Sequence, residues 1–386
     1  MSFNSNILSQ VLNEVNKYEF KNQVSKNNGD YKVQKLFCHD LFTAMIYSHI
    51  KQKESTRNII SGLYSFNSDF YHLGMNEIKR STFSDALNKR PSKVFEDYFY
   101  SLLSEIPRKE KRKFNRKVNI LDSTTISFCL SRFNWAKYKS AKGGIKLHTV
   151  FDYDDLIPEK VIITNAKVHD IKGVDDKIDF NSGEIYVKDR GYACYKYLYK
   201  IELAGAYFVT RIKANWKITR TIAKPVNYDN GIFLDEEIEV EGIKAKEYPK
   251  NLRMIMFYHE ESKKIFRFIT NNFKMSAEEI SDLYKSRWQI ELFFKWIKQH
   301  LNIKTFYSTS ENGVKTQIWC ALITYLLLIK IKIKLKLEIS IYEILRKITD
   351  FMDKRISIFD LLLGFIKKKP DRISNKDCEQ LMLNFV

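Results

Sequence analysis

Tyr284, Arg287, Glu291 and Lys298 follow one another at intervals of three, four and seven residues, in a run with no Gly or Pro. At about 100° per residue, with Tyr284 at zero, Arg287 falls at roughly 300°, Glu291 at roughly 340° and Lys298 at roughly 320°. One phenol, one carboxylate and two cations therefore share a stripe about 60° wide on a single expected helix. Phe293, Trp296 and Ile297 turn to the other side. Ser276 is the expected N-cap, and Glu279 closes a capping box with it. A carboxylate held among cations on a rigid element suits a metal ligand beside a phosphate backbone.

Two upstream acids have settings that match. Asp122 interrupts the β-branched, apolar run from Asn119 to Thr125. An unpaired carboxylate in such a strand is costly, so it either works there or marks an edge or turn. Asp189 ends the short apolar run Ile185–Lys188 and precedes Arg190-Gly191-Tyr192. Sites open at the carboxyl ends of strands in α/β sheets, although an Asp at that place also simply begins turns. Three carboxylates from a strand, a later strand and a helix can hold two divalent ions about 3.5–4 Å apart. Hard oxygen donors select Mg²⁺ or Mn²⁺. His148 and His169 have no partner spacing for a zinc site.

The elements that must position these acids change along the chain. Residues 1–107 read as a helical N-terminal domain. Its helix beginning at Ser81-Thr82 carries Asn88, Lys89 and Arg90 before Pro91. It could enter DNA like the second helix of a helix-turn-helix, or belong to an ordinary helical domain. Residues 108–117, with seven basic residues and one acid, form a basic linker, either solvated or in phosphate contact. Residues 118–212 alternate strands and helices, and with 273–335 make the expected catalytic core. Residues 213–272 are rich in strands and turns and read as an inserted β subdomain. The Lys-rich alternation Ile329–Ile339 fits a strand or a fraying helix end. Residues 336–386 are expected to form a short helical C-terminal segment.

Composition narrows the partner. The chain of 386 residues has a net charge of +19, 44% hydrophobic residues and 14% aromatic residues. That is enough for a sizeable core and two or three domains. The positive excess points to a polyanion, unless it reflects only a Lys-rich composition. The longest nearly apolar run, Ile318–Ile329, is too short to span a bilayer, so nucleic acid is the expected partner. The opening residues are mixed and polar, unlike a signal peptide. Five dispersed cysteines without a CxxC pair suit a reducing cytoplasm.

The Tyr284–Arg287–Glu291–Lys298 spacing resembles the Y-R-E-K signature of DDE insertion-sequence transposases of the "insertion sequence four" group. The blocks around Asn119–Thr124, Gly144–Thr149, Val187–Tyr192 and Ile269–Asn272 are similar to family blocks, as are His72–Met75 and Arg80–Ala86. The likeness runs from about residue 30 to 330. It implies an α/β, ribonuclease-H-like mixed sheet flanked by helices, with the inserted β subdomain and the helical N-terminal domain. It also implies an enzyme that binds terminal inverted repeats, cleaves DNA to a free 3′-OH and joins it to target DNA. In that reading Asp122, Asp189 and Glu291 are catalytic ligands of two Mg²⁺ or Mn²⁺ ions. Tyr284, Arg287 and Lys298 hold DNA, with Arg190 and Lys295 beside them. Hairpin-forming relatives stack a flipped base on a tryptophan of the insertion. Trp216 is the only Trp in that region here, and is otherwise a core residue of the insertion. The implied partner is double-stranded DNA bound by a homodimer, with no membrane. The alternatives are a transposon-derived DNA-binding protein without catalysis and another ribonuclease-H-like nuclease.

Overall fold

The structure, a computed structural model, describes residues 5–66, 70–129, 133–139, 142–213, 215–226, 230–260 and 263–364. The chain begins with α1 (Ile7–Leu12), α2 (Lys17–Lys26), α3 (Cys38–Ile50), α4 (Thr56–Tyr64), α5 (Phe70–Leu73), α6 (Arg80–Lys89) and α7 (Ser92–Glu105). There follow β1 (Val118–Cys129), β2 (Lys137–Lys139), β3 (Lys142–Asp152), β4 (Ile157–Asn165), α8 (Asp170–Val174), β5 (Ile185–Lys188), α9 (Tyr195–Leu203) and β6 (Tyr207–Arg211). Four more strands come next: β7 (Lys217–Ala223), β8 (Ile232–Glu241), β9 (Leu252–His259) and β10 (Lys264–Thr270). The remaining helices are α10 (Ala277–Ser286), α11 (Trp288–His300), α12 (Glu311–Lys334), α13 (Ile341–Asp350) and α14 (Ile358–Gly364). The part of the expected C-terminal segment beyond residue 364, with Cys378, lies outside the described residues.

Two compact units emerge. One holds the described residues within Met1–Ile106, His300–Asn302 and Asn312–Val386; the other holds Pro107–Gln299 and Ile303–Glu311. In the first unit, Phe20, Phe42, Phe95 and Tyr98 from α2, α3 and α7 stack edge-on and tilted at its centre. The sequence grouped α12 with the catalytic core, but the helix clusters with these N-terminal helices instead. Its Trp319 ring lies 5.3 Å from Phe99. By length and composition α12 could cross a membrane, yet most of its apolar stretch is buried. The Lys-rich alternation resolves as the last turn of α12, ending at Lys334, and a following turn.

The second unit is built on one mixed sheet, ordered β2-β3-β1-β5-β6-β10-β9-β8-β7, with β4 also on β3. β1, β5 and β6 are parallel. The crossover to β6 runs through α9, as a parallel pair requires. β1 and β3 pair antiparallel from Asn119↔Asp152 onward. The strands expected as an inserted subdomain continue the same ladder, because β10 pairs with β6. Side chains alternate across the sheet, so β1 serves two cores. Leu121 packs with Leu198 and Ile201 of α9 on one face. Val118 packs with Ile280 and Leu283 of α10 on the other.

The basic stretch 108–117 is not a free linker. Arg112 pairs with Asp152, Asp154 and Asp155, and Arg108 and Lys117 pair with Glu159. Acids from the end of β3, the following turn and β4 thus neutralise three of its cations.

Candidate active site

The expected single helix carrying Tyr284 to Lys298 is two. The Ser276 capping box forms as expected: Ser276 Oγ accepts from the Glu279 amide at 3.1 Å, and Glu279 accepts from the Ser276 amide at 2.8 Å. The break comes at Arg287. There Ser286 Oγ donates to the Leu283 carbonyl at 2.6 Å, and the Arg287 amide bonds back only three residues, to Tyr284. A serine that bonds a helix carbonyl competes with the backbone ladder and bends it. α11 therefore starts afresh at Trp288, and the angular count from Tyr284 does not carry across intact.

The four residues nevertheless meet one site. Asp122 and Thr124 share the α10–α11 face of β1. The Arg287 guanidinium donates to Asp122 Oδ2 at 3.0 Å and meets Glu291 Oε1, one turn later, at 2.5 Å. Lys298 donates to Thr124 Oγ1 and to the Thr125 carbonyl. Asp189 follows the end of β5, where the parallel register places it beside β6. Arg211 of β6 reaches it at 3.1 Å, and the Tyr284 hydroxyl donates to it at 3.4 Å. The Tyr284 ring itself is stacked on Phe268, with centroids 4.6 Å apart. Asp122, Asp189, Glu291, Arg211, Arg287, Lys295 and Lys298 line one open cavity of about 580 Å³.

Electrostatics separates the two aspartates. Burial pushes the Asp122 carboxyl up to about 6; Asp189 and Glu291 add to this, and the Ser123 amide and Arg287 oppose it. Burial also acts on Asp189, but the Arg190 amide, Arg211 and Arg287 outweigh it and hold that carboxyl below its ordinary range. Burial lowers the Lys298 ammonium, and Lys304 adds to that.

The donor set, three carboxylates in one cavity, suits a hard divalent cation. Among the described residues, however, no three His, Cys, Asp or Glu side chains converge closely enough to share one ion. The Arg287 guanidinium stands between Asp122 and Glu291 instead.

Two further clefts adjoin the acids, and both include Arg211. One, about 550 Å³, combines Phe257, Phe266, Tyr284 and Trp288 with Lys264, Lys285 and Arg287. Trp288 is 55% exposed there. The other, about 530 Å³, is lined by Arg190, Lys263, Lys264 and Arg267. Trp216 lines none of these three cavities; it stacks on Tyr195 at 4.0 Å and packs against the α9 core. His148 is a buried structural residue, bonded to Thr164 at 2.9 Å. Sequence reading missed Arg211 and the aromatic cleft. No local signal marked Arg211, because the parallel pairing Lys188↔Thr210 that makes it the neighbour of Asp189 joins distant residues.

Comparison with known proteins places the chain in a family. The family described as Transposase DDE domain matches residues 113–327, a stretch that contains all three acids. A family described only as a domain of unknown function matches residues 4–76. A putative transposase, y4zB, of Sinorhizobium fredii is 34% identical over 64% of this chain and 69% of its own length. A probable transposase for insertion sequence element IS5377 of Geobacillus stearothermophilus is 29% identical, over 66% and 68%. A putative transposase for element IS4SA of Synechocystis is 29% identical, over 72% and 79%. With more than half of its length matched by that family, the chain belongs to the DDE transposases.

Proposed function

We propose that this transposase is a member of the "insertion sequence four" group with a ribonuclease-H-like core. It binds the terminal inverted repeats of an insertion sequence, cuts the phosphodiester bond to free a 3′-OH, and joins that end to target DNA. The observation that carries this reading is the single cavity in which Asp122, Asp189 and Glu291 meet Arg211, Arg287, Lys295 and Lys298. Carboxylates alone would repel a phosphodiester, and cations alone would bind it without chemistry. Together they match a strand whose phosphate must be held and cut.

Asp122, Asp189 and Glu291 are the residues that would hold two Mg²⁺ or Mn²⁺ ions. Bound there, such ions activate water or a 3′-OH and stabilise the leaving oxygen. Arg287, which bridges Asp122 and Glu291, would pass to a phosphate oxygen where those carboxylates hold metal. A guanidinium suits that exchange, since its fork matches carboxylate and phosphate alike. Lys298 and Lys295 offset charge that grows on the phosphate in the transition state. Arg190 and Arg211 track the neighbouring backbone. Because Trp216 is stacked on Tyr195, the cleft of Trp288, Phe257 and Phe266 is the better platform for an unpaired base.

The N-terminal unit is the proposed reader of the inverted repeat. The exposed side of α6 presents Arg80, Ser81, Asp85, Asn88 and Lys89, residue types that bond base edges and phosphates. A cleft of about 510 Å³ runs beside it, lined by Tyr31, Lys32, Lys35 and Lys89. The protein would act as a homodimer on paired ends in the bacterial cytoplasm.

The test is incubation with a duplex carrying the element's terminal repeat and Mg²⁺. Site-specific 3′-OH ends are expected. Binding of the repeat without any cleavage by the wild-type protein would refute the enzymatic reading.

A further inference from the structure

β1 is gripped from both faces, and the grip on the face away from Arg287 involves a fourth acid. Ser123 follows Asp122 and points to the opposite side of the sheet, with Lys146 and His148 of β3. There its Oγ donates to Asp170 Oδ1 at 2.7 Å. Lys146 Nζ donates to the same oxygen at 3.0 Å and to the Val168 carbonyl at 2.9 Å. The other Asp170 oxygen lies against the turn that follows Asp189: a Cβ built on Gly191 would stand 3.4 Å from Oδ2. Burial raises the pKa of the Tyr192 phenol in that turn, and the Asp170 charge adds to the rise. One carboxylate, paired with Lys146, therefore bonds the residue after the first catalytic acid and lies close to Gly191 in the turn after the second.

We propose that Asp170 is a positioning residue that fixes the separation of Asp122 and Asp189. It touches none of the reacting groups and acts through Ser123 and the Arg190–Tyr192 turn. The spacing of two carboxylates decides whether they share a cation, and outer partners that orient metal ligands typically matter by about 10–100-fold in metal affinity or activity. This inference rests on the metal-binding reading of the site proposed above, and its test separates the two.

The experiment measures Mn²⁺ affinity by electron paramagnetic resonance without DNA, and amide hydrogen exchange at residues 122–124 and 189–192. Full-length wild type, Asp170→Ala, Ser123→Val and Ser123→Thr are compared. Asp170→Ala and Ser123→Val are expected to weaken Mn²⁺ binding about 10–100-fold and to speed exchange in the segments they release. Ser123→Thr keeps the hydroxyl and is expected to bind as wild type does, which a general loss of folding would not explain. If Asp170→Ala unfolds, the Val and Thr pair decides alone. Wild-type affinity and wild-type exchange in Ser123→Val would overturn the proposal. If the wild type binds no Mn²⁺, the metal reading fails, and unchanged exchange in the variants would still refute the clamp separately.

Discussion

Asp122→Asn should stabilise the protein at neutral pH while abolishing strand cleavage. Burial, reinforced by Asp189 and Glu291, pushes the Asp122 carboxyl from an ordinary 3.8 to about 6. The folded state therefore holds this proton more tightly than the unfolded chain does. The resulting stability is fully present below about pH 4 and is lost as pH rises through about 6. At 1.36 kcal/mol per pH unit, the gap amounts to about 3 kcal/mol above pH 7. Asparagine is never ionised and avoids that loss, though it meets Arg287 less favourably than the carboxylate does. A net gain of about 1–3 kcal/mol follows, or a melting temperature higher by roughly 2–10 °C for a unit of this size. The assay is thermal melting of wild type and variant from pH 4.5 to 8, without divalent ions. The difference should grow with pH and fade toward pH 4.5. Adding Mn²⁺ should raise the wild-type melting temperature and leave the variant nearly unmoved. A variant less stable than wild type at pH 7.5, or a difference independent of pH, would refute the argument from a buried charge.

Other perturbations address separate parts of the molecule. Arg253 of β9 forms a buried fork on Asp235 at 2.7 and 2.6 Å and also donates to the Asn272 carbonyl. Arg253→Met strands that carboxylate and should cost about 3–5 kcal/mol in chemical denaturation. Lys188 is fully buried with no hydrogen-bond partner for its Nζ, and burial drives its pKa well below the ordinary value. Lys188→Met should raise stability by about 1–3 kcal/mol at pH 7. That advantage should shrink as pH approaches 10, because the unfolded lysine then also loses its proton. Trp288→Ala should weaken cleavage or strand transfer with little change in melting temperature. Trp216→Ala should lower the melting temperature by several degrees, through loss of its packing on Tyr195. Equal stability of the two variants would contradict that division.

Much of the site was legible because its cues are local. Asp122 stood out as an acid in a β-branched run, and Asp189 as an acid at the end of a short buried one. The Ser276 capping box needs only four residues, so it formed as read. Failures came where distant groups decide. Nothing in the run from Tyr284 to Lys298 announces a helix break, since Ser286 is an unremarkable helix residue until its hydroxyl takes the Leu283 carbonyl. The cationic stretch 108–117 looked like a free linker because its acidic partners lie some forty residues downstream. Trp216 was open to two roles, base platform or core residue of the insertion, and only its stacking on Tyr195, from another element, favours the second.

By itself, then, the sequence determined which acids and cations this transposase has, the kind of element each sits on, and their order. Periodicity and capping depend on neighbours within a few residues, and those are always visible. Only tertiary structure decided how these groups meet. It set the parallel register that brings Arg211 to Asp189, and the continuation of the sheet from β6 into β10. It also placed the Arg287 bridge between Asp122 and Glu291, and the Ser123–Asp170 hydrogen bond beside the turn that follows Asp189. Each of these joins residues far apart in the chain, and their pairing follows from packing that no local pattern encodes.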